Sequence, residues 1–375
     1  MFFIERISSL FTFSAVLFTA MLGMSILKNN QYKIPLWGYW IALGVFAFIF
    51  IPNPSADLTR LHALCVGGWC QNEFYKLAYS LVHTNAPAWM FFSWAVYQIT
   101  HNENFIQTIA CLWSFFNVFY IISSVIQNNN IRKYNRALIL FSIMAVGTFY
   151  IEVISGMRSM LSFSIICFCI YRELVERKNF IPHLPLYLFA SLMHPAGIAL
   201  ITIRILASVM FQNNIISKIV VFMLCVSLLL GIYLYGKIYV ETAVDLAISY
   251  STDENEYSYI WEVVIGLIEQ FQIYFVLYHF KKRYSNTSFT YTSMARLCLI
   301  TALISLCGLP FSYAIFRRFT IVASIFLLPV LGKLLSNQKR VSNMTIKFIW
   351  ALCFIIYFLS CARGDLCSYK FFMLG

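Results

Sequence analysis

Apolar runs close to the length of a membrane-crossing helix recur along the chain, at 7–27, 34–51, 105–126, 137–154, 217–236, 259–280, 291–309, 319–335 and 345–361. A spanning α-helix needs about 20 such residues. Composition points the same way, with 61% of residues hydrophobic and 11% charged, where a soluble domain carries roughly 25% charged residues. Mean hydropathy is +0.75. The expected fold class is all-α, a polytopic integral membrane protein with about 10–12 transmembrane helices. Re-entrant or short helices are expected on its outer side. No linker, repeat or low-complexity stretch divides the chain, so residues 1–375 read as a single transmembrane domain. No convincing small-residue cleavage site follows the first run, which is expected to be a retained helix.

Charge sets the expected topology. The basic stretches "IRKYNR" (131–136), "RELVERK" (172–178), "KKRYS" (281–285) and "SNQKR" (336–340) are expected on the cytoplasmic side, where loops carry an excess of Lys and Arg. The net charge of +12 then needs no nucleic-acid partner. Residues 239–257 hold five acids and no base, and 237–258 is expected as an acidic outer loop. The run 86–100 is short for a span, so 52–104 reads as an outer loop with an interfacial or re-entrant segment. The apolar stretch 179–211 is broken by "HPAG" at 194–197. Proline restricts its predecessor and removes a backbone donor. A hairpin of two short helices with His194 and Pro195 at its outer turn reconciles every loop.

The cysteines show no CxxC or Cys/His ligand spacing, and no metal site or cofactor is expected. They are expected as free thiols. Cys65–Cys70 and Cys361–Cys367 are the pairs closest to exposed loops.

With this parity, Arg158 falls at an outer turn beside Gly156, which is expected to permit a tight bend. His194, the pair Arg317 and Arg318, and Asp57 with Arg60 fall on the same side. Each has an ordinary explanation: arginines at helix ends snorkel to lipid phosphate, and Glu152 is expected to pair with Arg158. Glu269 and Arg296 read as partners within the bundle. Together the outer charges suit a diphosphate, because guanidinium grips phosphate oxygens bidentately. A neutral histidine beside them could take a proton from a hydroxyl. Aromatic residues such as Trp69, Phe74, Tyr75 and Trp89 suit sugar faces, although interfacial belts also use them.

The order "SGMRSMLSFSI", basic loop "RELVERKN", then "LYLFASLMHPAGIALI" resembles the EpsG family, within the wider class of Wzy-type polysaccharide polymerases. The likeness covers about residues 50–205. The upstream "SADLTRLH" fits in position. Ser159 stands where the family often has Gln after the arginine, and Tyr75 is the nearest tyrosine to follow Asp57. The resemblance implies a multi-pass glycosyltransferase of the bacterial inner membrane with its active site facing outward. It implies transfer of a glycan from undecaprenyl diphosphate to an acceptor sugar of a new lipid-linked repeat unit. Arg158, with Arg317 or Arg318, would stabilise the departing diphosphate. His194 would be the base, Asp57 a second candidate base or substrate contact, and Arg60 and Tyr75 substrate contacts. Its partners would be the lipid-linked oligosaccharide, the bilayer and a chain-length regulator protein. The rivals are a flippase or transporter of lipid-linked glycan, which should show repeats and midplane charges, an O-antigen ligase-type transferase using the same donor, and a membrane acyltransferase.

Overall fold

In the computed structural model, residues 2–50, 57–145, 149–210, 256–284, 289–309, 313–336 and 343–362 are described. Of the acidic loop expected over 237–258, residues 237–255 lie outside them, as does Cys367. Every regular element among the described residues is helical. The chain runs α1 (Phe2–Ile26), α2 (Lys33–Phe48), α3 (Asp57–Val66), α4 (Phe74–Val82), α5 (Pro87–Thr100), α6 (Asn104–Asn128), α7 (Lys133–Met144) and α8 (Phe149–Ser155). It continues through α9 (Met157–Leu174), α10 (Leu184–Met193), α11 (Ala196–Met210), α12 (Glu256–Arg283), α13 (Phe289–Gly308), α14 (Tyr313–Ser336) and α15 (Asn343–Ala362). Among the described residues, five helical stretches are long and apolar enough to cross a membrane: Asn104–Asn128, Val263–Arg283, Thr290–Gly308, Ile315–Ser336 and Asn343–Cys361. Shorter apolar helices lie at Leu10–Ile26, Ile181–Met193 and Ala196–Ile205. The chain is an all-helical, multi-pass membrane protein.

Helices α6, α9 and α14 form the centre, with α14 packed on α6, α7, α9, α12 and α13. The run expected as one helix over 137–154 is two elements, α7 and α8.

Hydrogen bonds show which helix ends share a side. Arg136 donates to the Leu27 carbonyl at 3.2 Å, and Lys33 to Gln127 at 3.3 Å. Tyr120 and Ser124 donate to Glu176. Tyr291 donates to Asn129 at 3.2 Å, and Tyr284 to the Lys333 carbonyl at 3.1 Å. The basic segments near 28–33, 131–136, 172–178 and 281–283 are therefore gathered at one end of the bundle.

The stretch after α9 is a hairpin. His183, before α10, and Arg204, in α11, both meet Glu173 at the end of α9, at 3.6 and 3.8 Å. The two arms thus return to one level, and His194 lies at the opposite turn. His194 is extended, at φ −156° and ψ 132°, as a residue before proline prefers. The arms can nest on α9 because residue 197 is glycine: a Cβ there would lie 2.5 Å from Ser162 Oγ. Ser162 spends that closeness on a 2.7 Å hydrogen bond to the Ala190 carbonyl.

The segment before α5 departs from expectation. Cys65 and Cys70 are not free thiols but a disulfide. Trp69 donates to Ser93 Oγ at 2.9 Å, Gln98 to the Cys70 carbonyl at 2.7 Å and Trp94 to the Asn72 carbonyl at 3.0 Å. These bonds tie the end of α3 to α5, and so fix the helix that carries Arg60.

Candidate active site

At the end of the bundle away from the basic segments, a cleft is lined by Arg60, Leu61, Ser155, Gly156, Arg158, Ser159, His194 and Arg318. It offers about 50 Å³ to water-sized molecules. Four stretches far apart in sequence meet here: α3, the α8–α9 junction, the α10–α11 turn and α14.

Arg158 sits in the first turn of α9, behind Gly156 as N-cap. A cation at a helix N-terminus works against the macrodipole by about 0.3–1 kcal/mol. The first N–H groups of a helix also lack intrahelical acceptors, so an anion placed here would satisfy both the helix end and the guanidinium. Gly156 is not needed for its backbone, which lies at φ −93°, open to any residue. It is needed for space: a Cβ would come within 2.9 Å of the Glu152 carbonyl.

Arg318 lies within α14 and not in a loop before it. Its side chain is 27% exposed, and its Nε–H is buried without a hydrogen-bond acceptor among the described residues. Glu152 was expected beside Arg158, but its ion-pair geometry is with Arg318, Oε2 standing 4.0 Å from Nε.

Arg317 does not line the cleft. It is 1% exposed and pairs with Glu269, itself 1% exposed, through Nη1 and Oε2. Successive residues on a helix point about 100° apart, so only one of the pair can face the opening. Around this ion pair, Gln270 donates to Thr320 at 2.8 Å and Ser305 to the Phe316 carbonyl at 2.6 Å. Glu269 therefore takes Arg317 as its partner, from the next helix but one.

His194 is partly buried, and its Nδ1 accepts the Ala196 backbone N–H at 3.1 Å. A neutral imidazole has one donor and one acceptor nitrogen. With Nδ1 occupied as acceptor, Nε2 carries the proton. Burial, and then the charges of Arg318 and Arg158, lower the pKa of His194 to about 4. The ring is thus a neutral N–H donor, which argues against its expected role as base.

Of the other candidates, Asp57 opens α3, one turn before Arg60. Tyr75 is 64% exposed on α4, with the Lys76 ammonium 5.6 Å from its ring, and does not line the cleft. No group of three or more metal-ligating side chains occurs among the described residues. Sequence reasoning missed the Glu152–Arg318 approach. Its one available signal was a carboxylate inside an apolar run, six residues before Arg158.

No curated protein and no solved structure matches the chain. The model of the EpsG family matches residues 71–371. That range contains Arg158, His194 and Arg318, and leaves Asp57 and Arg60 upstream. A match over most of the chain settles the family: the protein belongs to the EpsG family of Wzy-type polysaccharide polymerase-like membrane proteins.

Proposed function

We propose that the protein joins lipid-linked oligosaccharide repeat units at the outer face of the bacterial inner membrane. It would transfer the growing glycan from undecaprenyl diphosphate to an acceptor sugar hydroxyl. The observation that carries this reading is the convergence of Arg60, Arg158 and Arg318 with a neutral histidine in one cleft. The leaving group is a diphosphate, and preorganised cations act where its charge develops. Arg158 and Arg318 grip that diphosphate and His194 Nε2 donates to it. Arg60, exposed at the rim, serves the acceptor's diphosphate. Tyr75 serves a more distant part of the substrates. Arg317 holds α14 through Glu269 and so sets Arg318.

Two features support the outward orientation of the cleft. The basic segments cluster at the other end, as cytoplasmic loops do. The Cys65–Cys70 disulfide ties the end of the helix that carries Arg60 to the turn after it, and disulfides persist in oxidising compartments.

A clean deletion should leave surface glycan of single repeat units, still attached to their acceptor. Loss of a flippase would leave no such product, and long chains in the deletion strain would end the polymerase reading.

The state of His194 gives a pH prediction. Its folded pKa, about 4, lies below the ordinary value near 6.5. Between the two, the unfolded chain binds the extra proton, so this group's contribution to stability is present above about pH 6.5 and is lost as pH falls toward 4. Over about pH 5.5 to 8 the folded ring stays neutral. His194→Gln should lower the rate of glycan lengthening in membrane vesicles without changing the shape of its pH profile. An acid limb in the wild type that vanishes in the variant would show the histidine working as a base.

A further inference from the structure

We infer that Glu152 is the base that takes the proton from the acceptor hydroxyl; this rests on the transfer reaction proposed above. That reaction forms a bond from the acceptor oxygen to the anomeric carbon. It breaks the bond from that carbon to the diphosphate oxygen, which leaves with the electron pair. The acceptor's proton must go to a group in the cleft or directly beside it. Arginines cannot take it. His194 offers Nε2 with its proton already in place, because Nδ1 accepts the Ala196 N–H at 3.1 Å. Ser155 and Ser159 are committed: each hydroxyl donates at 2.9 Å to a backbone carbonyl, of Ile151 and Gly156.

Glu152 is placed for the task. Its carboxylate folds back over Gly156, a cleft residue, with Oε2 3.6 Å from where a Cβ at 156 would lie. The same oxygen stands 4.0 Å from Arg318 Nε. That is too long for a hydrogen bond, and among the described residues no donor bonds Oε2. Glu152 stands directly behind the lining residues Gly156 and Arg318 and is not itself one of them, and its side chain is 22% exposed. Arg318 then has two neighbours in the reaction, the departing diphosphate and the carboxylate that receives the proton.

The test uses full-length protein in proteoliposomes with lipid-linked repeat units isolated from the deletion strain. Loss of general-base catalysis costs about 100- to 10,000-fold. Glu152→Gln, which keeps size and shape, should lose that much in kcat with the acceptor KM little changed. In Glu152→Ala, which opens a space where the carboxylate stood, formate, a small carboxylate, should restore part of the rate. A residue that only steadied Arg318 would gain nothing from formate. Wild-type rates in Glu152→Gln, or a loss in Glu152→Ala that formate does not relieve, would overturn the assignment while leaving the polymerase standing. Failure of the wild-type protein itself to lengthen the units would overturn the reaction, and this assignment with it.

Discussion

Arg158→Lys should leave cells with single repeat units on the surface at normal membrane abundance of the protein. A lysine at a helix end snorkels as well as an arginine, so a purely anchoring role predicts full-length glycan. Gripping a diphosphate asks for more. The guanidinium presents a planar fork to two oxygens, whereas an ammonium is a mobile point charge. Removing one oriented donor from a water-poor site costs on the order of 100- to 1,000-fold in rate. Arg158 lies where the orphan N–H groups of α9 already favour an anion, so the fork acts together with the helix end. Arg318→Lys should behave alike, because its Nε–H is buried with no acceptor among the described residues. Arg60 is exposed, and Arg60→Lys should cost less. Glycan length on a gel, normalised to protein abundance, reads all three. Normal chains from Arg158→Lys at normal abundance would return that residue to snorkelling.

Arg317→Ala should remove most of the protein from the membrane. Its side chain and that of Glu269 are each 1% exposed and paired with each other. Deleting one partner leaves an uncompensated buried charge, at a cost of about 3–5 kcal/mol, against a total stability of about 5–15 kcal/mol. Glu269→Ala should do the same. The double variant Arg317→Met with Glu269→Leu removes both charges and should recover much of the abundance, since apolar replacement of a buried pair is often neutral. Recovery of long glycan along with abundance is the expected result, because Arg318 and not Arg317 faces the cleft. An abundant double variant that makes only single repeats would show that Arg317 takes part in the chemistry. Quantitative immunoblotting of membranes beside the glycan gel separates the two outcomes.

What could be read from the sequence were quantities that depend on neighbours along the chain. The repeated apolar runs set the helical membrane fold, because each run of that length must hide its own backbone polar groups. The basic segments sorted themselves by charge. The break at His194–Pro195 was visible because proline acts on its predecessor locally. The order of arginine, basic loop and His-Pro carried the family. Nothing local could choose between Arg317 and Arg318: that depends on how α14 is rotated, and Glu269 on α12 decides it by pairing with one of them. Nor could sequence assign Glu152 to Arg318, 166 positions away in the chain. The disulfide between Cys65 and Cys70 needed the turn at 69–71 to bring the two α-carbons to 5.1 Å. The tautomer of His194 was set by the Ala196 N–H, which points at the ring only once the hairpin is formed. Helix formation is a local property and charge sorting nearly so. Which side chains face one another across the bundle is fixed by packing, and only the tertiary structure holds that information.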